Sequence, residues 1–95
     1  MYSAQMKITF DPVKNERNLR ERGLPFQLVE GLDWYSALVE EDVRKLYQEA
    51  RYVAIGFIGG RLFVVIFTPA ADGVRVISFR KANQREVKRY EKAQP

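Results

Sequence analysis

Two apolar runs, Tyr52 to Ile58 and Arg61 to Thr68, are separated only by Gly59-Gly60. A glycine pair between β-branched and aromatic stretches specifies a tight β-hairpin. Pro69 to Gly73 makes the next turn, with Asp72-Gly73 supplying the tight geometry. Val74 to Arg80 follows as a third strand. A two-residue turn sorts the hairpin side chains by alternation. Val53, Ile55, Phe57, Leu62, Val64 and Ile66 share one face; Ala54, Ile58, Phe63, Val65 and Phe67 share the other. Both faces are apolar, so this is a central sheet. One face can take the chain's own helices. The other is either covered as well or left partly open for a protein partner.

The remaining elements are punctuated by short-range signals. Met6 to Phe10 reads as a first strand. Asp11 can accept the first free N–H groups of a helix and Pro12 is pre-set for its first turn, while Gly23 is a stop. The first helix therefore spans 12–22. Pro25 opens a shorter helix, with Phe26, Val29 and Leu32 three apart on one face. Leu38 and Val39 read as a short strand, and 40–49 as loop or helical turn. Residues 83–94 form a last helix, because Asn83 with Glu86 three positions on resembles a capping box. Val87 and Tyr90 face inward; Arg85, Lys88, Arg89 and Lys92 face solvent. The expected fold class is α+β: an antiparallel sheet with two N-terminal helices packed on it and a C-terminal helix. One domain covers 1–95, with 1–5 as a loose leader.

Composition narrows the chemistry. The chain has no His and no Cys. The commonest metal ligand, the usual general base near neutral pH and the thiolate nucleophile are all missing. The carboxylates at 40–42 and Glu49 lack companion ligands, so neither a metal nor a cofactor is expected. Gly59-Gly60 is explained by the hairpin and is no phosphate loop. No apolar run is long enough to span a membrane. The N-terminus lacks the apolar core of a signal peptide, and a cytoplasmic protein is expected. The net charge of +4 is uneven. Residues 75–95 hold seven basic and two acidic side chains, whereas 23–74 hold four basic and seven acidic. Basic ends around an acidic middle point to a localised anion-binding surface.

Several stretches, taken in order, resemble one known family. Met6-Lys7-Ile8-Thr9-Phe10-Asp11-Pro12-Val13-Lys14, Asn18-Leu19 and Arg22-Gly23-Leu24-Pro25-Phe26 look like the opening of the BrnT toxins. Glu49-Ala50-Arg51-Tyr52, Gly56, Gly60 to Val65 and Thr68-Pro69 resemble the family's central hairpin. Arg75 to Asn83, with Arg85-Glu86 and Tyr90, resembles its ending. The resemblance implies a RelE-like fold and a type II toxin that cleaves RNA and halts translation. It implies a cognate BrnA-like antitoxin with a ribbon-helix-helix DNA-binding part, the complex of the two binding promoter DNA. Two positions depart from the pattern. Many members carry Lys-His-Gly where this chain has Glu21-Arg22-Gly23, and several carry an Arg after Thr-Pro that the turn at 69–72 lacks.

Metal-free RNA cleavage uses the ribose 2′-hydroxyl as nucleophile. The protein aligns it, stabilises charge on the phosphorus and moves protons. Arginine suits the second task, since it stays charged and offers several donors. Arg51, Arg75 and Arg80, at or near strand ends, are the expected charge-stabilising set. Lys14 and Arg22, eight apart along the first helix, share one side of it and are candidates for the RNA backbone. Lys81 and Arg85 are further candidates, with Lys88 beside them. Trp34 and Tyr35 are candidates for base stacking, or core. For the proton acceptor, Glu49, Asp33, Lys14 in its neutral form and water remain open. The alternative to an endoribonuclease is a non-catalytic nucleic-acid-binding or degenerate toxin subunit acting through its protein partner.

Overall fold

The computed structural model describes residues 6–44 and 46–95. The leader expected at 1–5 lies outside them. Strand β1 (Lys7–Phe10) leads into helix α1 (Pro12–Arg22) and a 3₁₀ segment (Phe26–Gly31). Strands β2 (Leu38–Glu41), β3 (Tyr52–Ile58), β4 (Arg61–Ala70) and β5 (Gly73–Lys81) follow, then helix α2 (Gln84–Ala93). The strands form one sheet in the order β1-β5-β4-β3-β2. The fold is α+β.

The meander pairs as its glycines dictate, with Ile58 opposite Arg61, Ile55 opposite Val64 and Tyr52 opposite Phe67. The sheet is mixed, however, where an antiparallel one was expected. β1 runs parallel to β5, from Lys7 opposite Gly73 to Phe10 opposite Val76. Parallel pairing needs a long crossover, and the chain between β1 and β5 supplies it. Gly73 is needed at this junction, because a Cβ there would run into the Lys7 backbone.

Helix α1 forms where its caps put it. The Asp11 carboxylate accepts from the Val13 N–H at 3.0 Å, and Gly23 closes the helix with φ 69°. Asn18 is the only buried residue of α1, so the helix borders the sheet rather than covering it. β1 stops opposite Val76, which leaves the Phe79 carbonyl at an open edge. Asn18 Nδ2 donates to that carbonyl and to the Leu24 carbonyl, both at 2.9 Å.

The second expected helix is a 3₁₀ segment. It carries the predicted face: Phe26, Val29 and Leu32 pack on Ala54, Phe63, Val65, Phe67, Val74, Val76 and Phe79. The opposite face holds a smaller core, in which Ile55, Leu62 and Val64 pack on Tyr90 with Val87 alongside. Helical elements therefore lie on both faces, and α2 covers only part of the second.

Strand β5 contains a bulge. Ile66 pairs with Ser78 but Phe67 pairs with Val76, so Ile77 is unopposed. One extra residue reverses the alternation beyond it. Arg75 and Arg80 are five apart, an odd spacing that a regular strand would split between faces. With the bulge, Arg75 opposes Thr68 and Arg80 opposes Val64, and both point to the face that carries α2.

Candidate functional site

The uncovered part of the α2 face is a concavity of about 260 Å³. Its floor is Val53, Val64 and Ile66, with Arg80 beside them. Glu86 and Arg89 of α2 form one wall. The end of β2 and the chain after it, from Glu40 to Arg44, form the other. Tyr90 ties α2 to β3 and to the chain before β2: its hydroxyl donates to the Ser36 carbonyl at 3.0 Å, and its ring meets Phe57 edge-on.

Arg80 is held in place by the start of α2. Its Nη1 and Nη2 donate to the two Glu86 carboxylate oxygens at 2.8 and 2.7 Å. The same carboxylate accepts from the Asn83 N–H at 2.8 Å, while the Asn83 side chain accepts from the Glu86 N–H at 2.8 Å. This is the predicted capping box, and it fixes an arginine as well as a helix end. The Arg80 hydrogen bonds hold the Glu86 carboxyl below its ordinary range, and Glu86 in return raises the Arg80 guanidinium. Nη1 also donates to the Lys81 carbonyl, which leaves the Nε–H and one Nη2 hydrogen for a ligand.

The second fixed arginine was not foreseen. The Asp42 side chain is buried and accepts from Arg44 Nε at 2.8 Å, Arg44 Nη2 at 2.7 Å and the Tyr47 hydroxyl at 3.1 Å. Chiefly through Arg44, the Asp42 carboxyl is driven far below its ordinary range and Arg44 is raised. Arg44 is near enough to Arg80 to disfavour its charge, so two cations share the concavity. Arg89 acts on Glu86 from the same wall. Residues 40–49 have no apolar period, so the sequence leaves loop and helical turn both open there. The acidic-basic pair at positions 42 and 44 was the available signal.

The predicted site residues separate into groups. Arg80 is in the concavity. Arg75 is exposed on the same face, four positions farther along β4 by its partner Thr68, or about 13 Å away along the sheet. Arg51 precedes β3 and stacks over the Tyr47 ring at 4.2 Å, lining a different cavity of about 460 Å³ with Glu49 and Leu46. The cavity that Arg51 lines and the concavity that holds Arg80 share the segment Glu41 to Arg44. Lys14 is exposed on α1. Arg22 turns to the sheet edge, its Nη1 donating to Asn18 Oδ1 and to the Phe79 carbonyl, both at 3.2 Å. Lys81 is exposed at the end of β5, and Arg85 lies on the outer side of α2 with Lys88.

Of the proton-acceptor candidates, neither Glu49 nor Asp33 lines the concavity. Asp33 accepts from the Tyr35 N–H and the Ser36 hydroxyl in a local turn. Trp34 packs edge-on against Phe67, 5.2 Å between centroids, and belongs to the core face. Its Nε1 is buried with no hydrogen-bond partner among the described residues. Tyr35 is 90% exposed.

A small α+β domain carries Arg44, Arg80 and Arg89 on one half-open sheet face, together with the carboxylates that engage Arg44 and Arg80. The family model described as ribonuclease toxin, BrnT, of type II toxin-antitoxin system matches residues 10–86. The chain belongs to this family. Membership implies RNA as substrate and a cognate antitoxin as partner. Comparison with curated proteins and with solved structures gives no match. Among the described residues no helix is long and apolar enough to cross a membrane.

Proposed function

We propose that this chain is a metal-independent endoribonuclease on a RelE-like fold, cleaving RNA by attack of the ribose 2′-hydroxyl and so stopping translation. The observation that carries this reading is the bulge at Ile77, which turns Arg75 and Arg80 to the one sheet face that α2 leaves partly open. Guanidinium groups fixed by ion pairs lose little freedom when a phosphate arrives, and they meet developing charge without reorganising. Arg80 acts on the reacting phosphate, and Arg75 and Arg51 on neighbouring phosphates. Lys81 and Arg85 continue the basic surface toward α2, and Lys14 and Arg22 supply a second, separate contact with the RNA backbone. A BrnA-like antitoxin with a ribbon-helix-helix part restrains the toxin in the cytoplasm, and the complex binds its promoter DNA.

The test is incubation of antitoxin-free protein with total RNA and with a purified messenger, chelator present, with and without ribosomes. Fragmentation by wild type that is lost in Arg80→Ala supports the reading. Fragmentation that vanishes with chelator removes metal independence. A non-catalytic nucleic-acid-binding subunit is the second reading, favoured by the carboxylates that Arg44 and Arg80 already hold. Its signature is RNA bound and left intact under every condition.

A further inference from the structure

The concavity contains arginines but, without histidine, no evident proton acceptor. Its acidic lining residues are Glu40, Glu41, Asp42 and Glu86. Three of them are accounted for. Asp42 is buried and accepts from Arg44 and Tyr47. Glu86 accepts from Arg80 through both oxygens and from the Asn83 N–H. A carboxylate whose lone pairs serve such donors is a weakened base. Glu41 pairs with Tyr52, which opposes Phe67 of the covered core face, so its side chain leaves β2 on the other side of the sheet.

Glu40 differs from all three. It pairs with Val53, a floor residue of the concavity, so alternation turns it to the same face as Arg80. It is exposed, and no hydrogen bond or ion pair engages it among the described residues. It stands on the wall opposite Arg89, across the floor that Arg80 borders.

We propose that Glu40 is the catalytic base of the cleavage, an inference that rests on the ribonuclease reading above. In the step it serves, the proton of the 2′-hydroxyl passes to the Glu40 carboxylate. The O2′–P bond forms and the P–O5′ bond breaks. The departing 5′-oxygen takes its proton from water, and the products are a 2′,3′-cyclic phosphate and a 5′-hydroxyl. Arg80 and Arg89 hold the phosphoryl oxygens while charge builds on them.

The experiment compares wild type, Glu40→Gln, Glu40→Asp and Glu30→Gln. It measures turnover on a short RNA and Kd for the same RNA blocked by 2′-O-methyl groups. Loss of a general base lowers kcat by about 10²–10⁴. Glu40→Gln is expected to show that loss with Kd unchanged or tighter, since it removes a negative charge from an anion site. Glu40→Asp recovers part of the turnover, and Glu30→Gln, at an exposed carboxylate on the 3₁₀ segment of the opposite face, retains it. Wild-type cleavage that Glu40→Gln matches within about threefold overturns the proposal alone. So does a Glu40→Gln protein that loses blocked-RNA binding and thermal stability together with turnover, which would make Glu40 a structural residue. A wild type that cleaves no RNA with or without ribosomes overturns the ribonuclease reading and this inference with it.

Discussion

The two faces of this sheet come from the same strands and are finished differently. Where the 3₁₀ segment packs, Phe26, Val29, Phe79 and Val65 are sealed, and aromatic pairs such as Phe63 with Phe79 fill the layer. Where α2 packs, only half of the surface is closed. The other half keeps an apolar floor of Val53, Val64 and Ile66 but is walled by charged side chains. The lesson is that strand alternation alone does not say which apolar residue is core. Ile66 and Val65 are neighbours of the same character; one is half-buried beside arginines and the other is fully buried.

The largest effect that can break this contrast is a cavity. Phe79 is 0% exposed, and Phe79→Ala is expected to cost about 3–5 kcal/mol in denaturant unfolding. Ile66→Ala on the open floor should cost only about 1 kcal/mol. Equal losses would show that the concavity is closed in solution. Next is Arg80→Ala. It should lower RNA cleavage about a hundredfold, as the loss of one preorganised charge donor does. Its side chain is 35% exposed, so after allowance for solvent screening the stability cost is about 1 kcal/mol. A variant that loses stability but keeps activity would make the Glu86 pair purely structural.

Acid sharpens the same comparison, because both strong ion pairs border the open half and neither lies in the sealed core. The carboxyls of Asp42 and Glu86 are held below their ordinary values by Arg44 and Arg80. A depressed folded-state value means the stabilisation is complete above the unfolded carboxylate range. It is lost as pH falls through the lower folded value. Unfolding followed from about pH 5 to pH 2 should show that loss, and Asp42→Asn with Glu86→Gln should flatten it. An unchanged profile would mean that the pairs are open in solution. The smallest effect belongs to the outer side of α2. Arg85→Ala or Lys88→Ala should weaken single-stranded RNA binding evenly across sequences and reduce its salt slope by about 0.7 each. A change in sequence preference instead would assign these residues to base contacts.

Much of this was legible before the fold. The α1 limits follow from Asp11, Pro12 and Gly23, the hairpin from Gly59-Gly60, and the α2 start from Asn83 and Glu86. The split of the hairpin residues between two faces was also readable, since alternation is fixed once the turn length is known. The site was less so. Arg80 was singled out, but its partner Glu86 was read only as a helix cap. Arg51 was grouped with it, and its stacking on Tyr47 in the chain between β2 and β3 was not readable from spacing. Trp34, a candidate for base stacking or for the core, is packed on Phe67.

What the sequence alone determined is therefore the set of local elements and the family, because caps, turns and glycine pairs act through residues a few positions apart. Tertiary structure decided the rest. The edge position and parallel direction of β1 depend on a partner more than sixty residues away. The bulge at Ile77 is invisible in a run of β-branched residues, since it changes the alternation without changing composition. It is nevertheless what turns Arg75 and Arg80 to the same face. Which carboxylate is engaged and which stands open, Glu86 or Glu40, depends on how α2 and β2 approach across the sheet, and no spacing along the chain encodes that approach.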